Sequence, residues 1–311
     1  MFQVFVDSGA NLPSCVVEKY GIRVISFVNY VNGEKLVCYT PGLTLEEERA
    51  KGKEYYNAIR EGAEVKTSLI NSSEFALRFK EVLDKGEDVM YLSISSGISG
   101  TYNSARIAAE DLLEDMPERK IVLIDTMNAS LATGILAIYA VQMRDKGMEL
   151  SEVEKVIREA VPHMNGTFTV DNLKYLARTG RIKHSVAAIG NILSIKPVLR
   201  GNADGFIVQF EKCRGRKRVL DELVDLVCDN IVEPQKQIIG VAHADCYGDS
   251  RYVIDKITHR VKVAAVINTT YDFCTGSHVG PDTVALFFLG YDRELGGKTA
   301  SYKRPQIFDH I

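Results

Sequence analysis

No two of the six cysteines are spaced as CxxC, no glycine-rich run meets the phosphate-loop pattern, and no GxSxG turn occurs in the 311 residues. Each absence removes a class of chemistry. Cys15, Cys38, Cys213, Cys228, Cys246 and Cys274 lie far apart, so they read as reduced thiols of a cytoplasmic protein, with neither disulfides nor a metal site expected. The Gly-Gly-Lys-Thr stretch at 296–299 fails as a nucleotide loop, because Asp292 stands where that motif needs its first glycine. The opening apolar residues are interrupted by Asp7 after about five positions, too few for a secretion leader or a membrane span, so no integral membrane association is expected. Charge of one sign is not in excess: 38 basic residues against 41 acidic ones give a formal net charge of −3, which argues against general nucleic-acid binding. Internal repeats and low-complexity segments are also missing.

What is present is a globular composition, 46% hydrophobic and 25% charged, in a chain long enough for one large domain or two ordinary ones. Strand-like runs at Phe2–Val6, Ile22–Val31, Lys35–Tyr39, Tyr91–Ile94 and 120–124 alternate with helical patterns at 13–20, 44–61, 72–85, 99–113, 129–146 and 151–164. This alternation predicts an N-terminal α/β/α domain over 1–165 with a mostly parallel sheet. From about Gly166 the pattern changes. Strands are expected at 167–170, 194–199, 206–210, 237–243, 261–266 and 283–289, with helices at 221–231 and 250–258. The Asn-Ala-Asp-Gly turn at 202–205 suits a hairpin, so a C-terminal α/β domain with a mixed sheet is expected over 166–290, followed by a flexible or surface-docked tail at 291–311.

The chemistry-bearing stretch is Tyr91 to Ala105, a short buried strand, a turn at Ser95, Ser96 and Gly97, and a helix start. Backbone N–H groups point out of a helix start, and Ser95, Ser96, Ser99 and Thr101 add hydroxyls, so the turn can cradle an anion. The plainer alternative is that Ser99 caps the helix and the other serines fill the turn. Asp7 and Ser8, and Asp125 and Thr126, sit at carboxyl ends of expected parallel strands, where open α/β sheets bind ligands.

The same stretch, together with Val6–Leu12 (VDSGANL), Tyr175–Leu199 and Gly276–Pro281 (GSHVGP), resembles the signature of the DegV family of bacterial fatty-acid-binding proteins. The four stretches stand in the expected order over roughly residues 1–290. The resemblance implies a two-domain α/β fold with the ligand pocket between the domains. It also implies a non-catalytic carrier of a long-chain fatty acid, serving a separate fatty acid kinase and, through it, phospholipid synthesis, with no cofactor of its own. Residue by residue, Thr67, Ser96 and His278 match the family's carboxylate-binding positions, with Ser95 adjacent. Gly97, Thr101, Arg181, Ile182, Ile189 and Gly280 fall in the matching stretches and Ser68 adjoins Thr67, while Asp125, at the end of its expected strand, is a further candidate for the pocket. The family usually carries a proline two residues after Thr67-Ser68, where this chain has Leu69, Ile70 and Asn71.

Physical chemistry fits that implication. Each buried methylene contributes about 0.8 kcal/mol, whereas a carboxylate resists burial unless donors meet it. Hydroxyls and an imidazole supply such donors without a metal. Arg181 has two readings, a cation at the pocket rim or the structural partner of a carboxylate such as Asp125. Ile182, Val186, Ile189, Ile192 and Leu193 suit either a tunnel wall or ordinary core. The basic cluster Lys212–Arg218 suits a docking patch for an acidic partner, which the resemblance would make the kinase. The competing enzymatic reading is a serine acyl hydrolase or transferase with Ser96 as nucleophile, His278 as base and Asp125 as orienter.

Overall fold

The computed structural model describes residues 1–182, 194–293 and 302–311. In the first half the chain forms β1 (Phe2–Asp7), α1 (Ser14–Tyr20), β2 (Arg23–Ile25), β3 (Val28–Val31), β4 (Glu34–Val37), α2 (Leu45–Arg60) and β5 (Val65–Ser68). There follow α3 (Ser72–Leu83), β6 (Asp88–Ser93), α4 (Thr101–Asp115), β7 (Ile121–Asp125), α5 (Leu131–Asp145) and α6 (Leu150–Ala160). Four of the strands make the expected parallel sheet, in the order β2-β1-β6-β7. Local sequence signals place the helices well. Thr44 and Glu47 close a reciprocal capping box at the start of α2, whose first turn carries Glu46, Glu47 and Glu48, and Asn71 caps α3 through the Glu74 N–H.

The single run expected at Ile22–Val31 is instead two strands in two sheets. At the break, the Phe27 N–H donates to Ser8 Oγ and the Tyr39 N–H donates to Ser26 Oγ, so hydroxyls satisfy groups that a continuous ladder would have paired. Released from the parallel sheet, β3 joins a small antiparallel sheet of order β4-β3-β5, in which Asn29 pairs with Thr67.

The second half contains β8 (Met164–Thr169), α7 (Lys174–Arg178), β9 (Ile195–Gly201), β10 (Ile207–Arg214), α8 (Arg216–Asn230) and β11 (Ile238–His243). It continues with α9 (Tyr247–Arg260), β12 (Ala265–Thr270), α10 (Phe273–Val279) and β13 (Val284–Leu289). The six strands form one mixed sheet of order β10-β9-β8-β13-β11-β12, with β11 and β12 parallel and the other neighbours antiparallel. The Asn202–Gly205 turn joins β9 to β10, as its residues predict. Some placements differ from expectation. β12 begins at Ala265, four residues later than the expected run, β10 runs on to Arg214, four residues past its expected end, and α8 begins inside the basic cluster, at Arg216; Gly276–Val279 lies in α10.

The sheets change over at Met164, but the apolar interior runs across that point. α5 is buried on every side from Leu131 to Val141, packing on β1 and β6 of the parallel sheet and on β8, β11 and β13 of the mixed one. A helix apolar all round has no face for water and needs cover from both directions. Two glycines permit the closeness: a Cβ at Gly134 would lie 2.7 Å from the Ala10 carbonyl oxygen, and one at Gly240 would lie 2.8 Å from Leu131 Cβ. Among the described residues, no helix is long and apolar enough to cross a membrane.

The last residues are docked. Ile307 and Phe308 are completely buried in the main core, Arg304 pairs with Glu233 and Asp309, and the Lys236 ammonium donates to the Phe308 carbonyl. Replacing Phe308 with alanine removes a fully buried ring and is expected to cost about 3–5 kcal/mol in chemical denaturation. A loss below about 1 kcal/mol would show that this segment adds nothing to the fold.

Candidate functional site

A cavity of about 280 Å³ opens between the two large sheets. The first half contributes Thr67, Ser68 and Leu69 from the end of β5, Ile98, Ser99 and Gly100 from the turn leading into α4, and Met127 to Ala129 from the segment after β7. These are the carboxyl ends of strands, where crevices of open α/β sheets lie. The second half closes it with Gly166 and Phe168 of β8, Arg181, the β9–β10 hairpin and the inner face of α10.

One set of side chains makes the cavity chemically asymmetric. His278 Nε2 lies 3.2 Å from Thr67 Oγ1, bridging the small sheet to α10, while His278 Nδ1 is buried with no hydrogen-bond partner among the described residues. Burial pushes the imidazole down to about 4, with the Arg181 and Arg178 cations adding to the shift, so His278 is neutral at pH 7. Arg181 lines the same space, its guanidinium donating to the Ile98 carbonyl at 3.1 Å and to the Thr179 carbonyl at 2.5 Å. Ser68 and Ser99 also line it, their hydroxyls donating to the Val28 carbonyl at 3.1 Å and to Thr101 Oγ1 at 2.9 Å. A fixed cation, a neutral imidazole and the Thr67 hydroxyl together offer donors to an anion, whereas Ile94, Ile98, Phe27, Phe168, Leu176 and Phe287 leave the remaining wall apolar.

Several expected members of the site lie elsewhere. The turn bends so that Ile98, Ser99 and Gly100 meet the cavity, while Ser95 is buried with its hydroxyl donating to the Gly205 carbonyl at 2.9 Å, and Ser96 is exposed. Gly97 serves the same clasp: a Cβ there would stand 2.8 Å from the Asp204 carbonyl oxygen. Thr101 is buried and receives the Ser99 hydroxyl at 2.9 Å. Asp125 accepts the backbone N–H groups of Ser96 and Met127, so it shapes two turns, and Arg181 is held by carbonyls with no carboxylate partner among the described residues. The Ser96, His278 and Asp125 relay of the hydrolase reading is therefore not assembled. Gly276 and Gly280 admit the rings of Tyr56 and Tyr175 against α10, and neither lines the cavity. Ile182 is buried outside it. Val186, Ile189, Ile192 and Leu193 lie outside the described residues.

Sequence comparison decides the kinship. The pattern of the family described as "Uncharacterised protein, DegV family" matches residues 1–290. The chain belongs to the DegV family. A DegV domain-containing protein of Clostridium perfringens is 38% identical over 294 residues, covering 94% of this chain and 99% of its own length. Among solved structures, a Thermotoga maritima protein described as a DegV lipid-binding protein superposes with a TM-score of 0.80 at 27% identity, covering 94% of this chain and 100% of its own. A second Thermotoga maritima protein, described as revealing a fatty-acid-binding function, superposes with a TM-score of 0.79 at 26% identity, covering 93% and 99%.

Two buried carboxylates of this DegV chain do structural work that sequence reasoning had not assigned to them. Asp7 accepts the Tyr91 hydroxyl at 2.8 Å and the Ile94 N–H at 3.1 Å, fixing the exit of β6 into the turn. Asp272 accepts the Cys274 and Thr275 N–H groups and the Thr275 hydroxyl, capping the helix that carries His278. The only sequence signal for Asp272 is an acidic residue followed three positions later by threonine at the start of a short helix. Burial pushes both carboxyls up to about 6, against hydrogen bonds that pull them down. A carboxyl raised on folding adds stability below its unfolded value of 3.8, and that contribution is lost as pH rises through about 6. Asp7→Asn removes the buried charge, so the stability difference between variant and native protein should move in the variant's favour by about 2–3 kcal/mol from pH 4 to pH 8. Urea denaturation at the two pH values measures it, and the depressed histidines cancel because both proteins share them. An unchanged difference would mean that Asp7 is not raised.

Proposed function

We propose that this protein binds a long-chain fatty acid in the cavity between the two sheets, with the carboxylate at Thr67, His278 and Arg181 and the acyl chain against the apolar wall. The observation that carries the reading is the asymmetry of one cavity: a hydroxyl–imidazole pair and a cation on one part of its wall, aliphatic and aromatic carbon over the rest. Described fatty-acid binding by a relative of the same fold supports it. Keeping His278 neutral avoids burying a second cation beside Arg181, while leaving an N–H to donate.

The protein then acts as a carrier, and a separate kinase performs phosphoryl transfer on the bound carboxylate. In support of that division of labour, this chain has no phosphate loop, and Ser68, Leu69 and Gly100 expose the cavity's border to solvent. The basic cluster sorts itself for docking. Arg216 is tied to Asp249 at 2.7 Å, and Lys217 and Arg218 pair within α8 to Asp221 and Glu222, whereas Lys212 and Arg214 are exposed and form no ion pair among the described residues.

Mass spectrometry of lipid extracted from the natively purified protein is expected to find a fatty acid. Thr67→Val or His278→Ala should then weaken binding of added fatty acid by about 10–100-fold, the loss of one hydrogen bond to a charged group. A lipid-free protein that also fails to bind added fatty acid overturns the reading. For the kinase role, Lys212→Glu with Arg214→Glu should lower acyl phosphate formation about tenfold in a reconstituted assay, through slower encounter, and leave lipid affinity unchanged. Normal turnover by that variant removes these two residues from docking.

A further inference from the structure

We infer that Asn29, with Tyr55, is a positioning residue for the Thr67–His278 pair, closing a ring of bonds that fixes the head-group end of the cavity. The inference rests on the fatty-acid reading above. Asn29 is completely buried on β3, and its side-chain amide donates to the Tyr55 hydroxyl at 3.1 Å and to the Phe273 carbonyl at 2.5 Å. The Tyr55 hydroxyl donates to the same carbonyl at 2.6 Å. Phe273 is the first residue of α10, so two donors from the first half of the chain converge on the start of the helix that carries His278. Directly across the ladder from Asn29 stands Thr67, and Thr67 reaches back to His278. The circuit runs from Asn29 to Phe273, along five residues of α10 to His278, across to Thr67, and through the strand pairing to Asn29.

The cost of this arrangement is visible. Asn29 Oδ1 is buried with no hydrogen-bond partner among the described residues, an expense that an aliphatic side chain would avoid. What the amide provides in return is its pair of donors, and both point at the junction with α10. Without them α10 remains capped by Asp272, but its roll relative to β5 is no longer set from the β5 side. Hydrogen-bond geometry at a buried anion is sensitive to such shifts, so the head group is affected before the tail.

The test uses the full-length protein and two probes, palmitic acid and its methyl ester, which shares the tail but lacks the carboxylate. Asn29→Leu is expected to weaken palmitic acid binding about tenfold and leave the ester unchanged, with no further loss when combined with His278→Ala. Tyr55→Phe removes one oxygen, leaves the Asn29 donor in place and is expected to weaken the acid about threefold, which keeps the test intact should Asn29→Leu fail to fold. Equal loss for acid and ester, or an additional loss in the His278→Ala background, would show a merely structural role and overturn the inference, as would unchanged acid binding in both variants. Failure of the native protein to bind palmitic acid is a different outcome, overturning the fatty-acid reading and this inference with it.

Discussion

The constraint behind the rest of the structure is that α5 has no hydrophilic side. A helix buried from Leu131 to Val141 must be covered by two layers at once, and the parallel and mixed sheets are those layers. Neither sheet is then free to drift from the other without exposing α5, which is worth about 25 cal/mol for each Å² of apolar surface uncovered. The cavity lies where this clamp leaves off, beyond the carboxyl ends of β6 and β7. Its two walls come from different halves of the chain and are held in register by a helix that belongs to both.

Fine positioning is carried by polar groups that cross between the halves. The turn after β6 is clasped to the β9–β10 hairpin through Ser95 and Gly205, and the start of α10 is held from α2 and β3 by Tyr56, Tyr55 and Asn29. Asn11, in a left-handed conformation at φ 58°, bonds both the Thr270 carbonyl and the Asp272 N–H, joining the loop after β1 to the same junction. Apolar burial supplies the adhesion, and these directional bonds decide which groups face the cavity.

That division explains what was legible in the sequence. The parallel sheet, the mixed sheet and the hairpin at Asn202–Gly205 could be read because they follow from apolar periodicity and turn chemistry, both local properties. Thr67 and His278 were picked out by resemblance and do meet. Ser95 and Ser96 were picked out by the same resemblance and do not line the cavity: Ser95 is clasped to the hairpin, over a hundred residues away in the chain, and the Ser96 N–H is taken by Asp125. The small antiparallel sheet was missed for a similar reason. The run at Ile22–Val31 carries no breaker, and its division depends on Ser8 and Ser26 hydroxyls taking backbone partners.

The electrostatics of the cavity's polar end follow from which charges burial allows. Asp7 and Asp272 lie on the protein side of the two elements that shape it, each raised to about 6, and each accepts N–H and hydroxyl donors with no cation beside it among the described residues, while Asp7 Oδ1 has no hydrogen-bond partner there. On the cavity side the order is reversed: burial, with the field of the Arg181 guanidinium added to it, holds His278 neutral. An anion placed between Arg181 and His278 would offset the cation's field at the imidazole and raise its proton affinity. Binding and protonation at His278 would then favour each other, because a group whose pKa rises on binding takes up protons as the complex forms. A neutral ligand of the same shape would produce no such uptake, so the polar end of the cavity would discriminate by charge where the apolar wall would discriminate only by size.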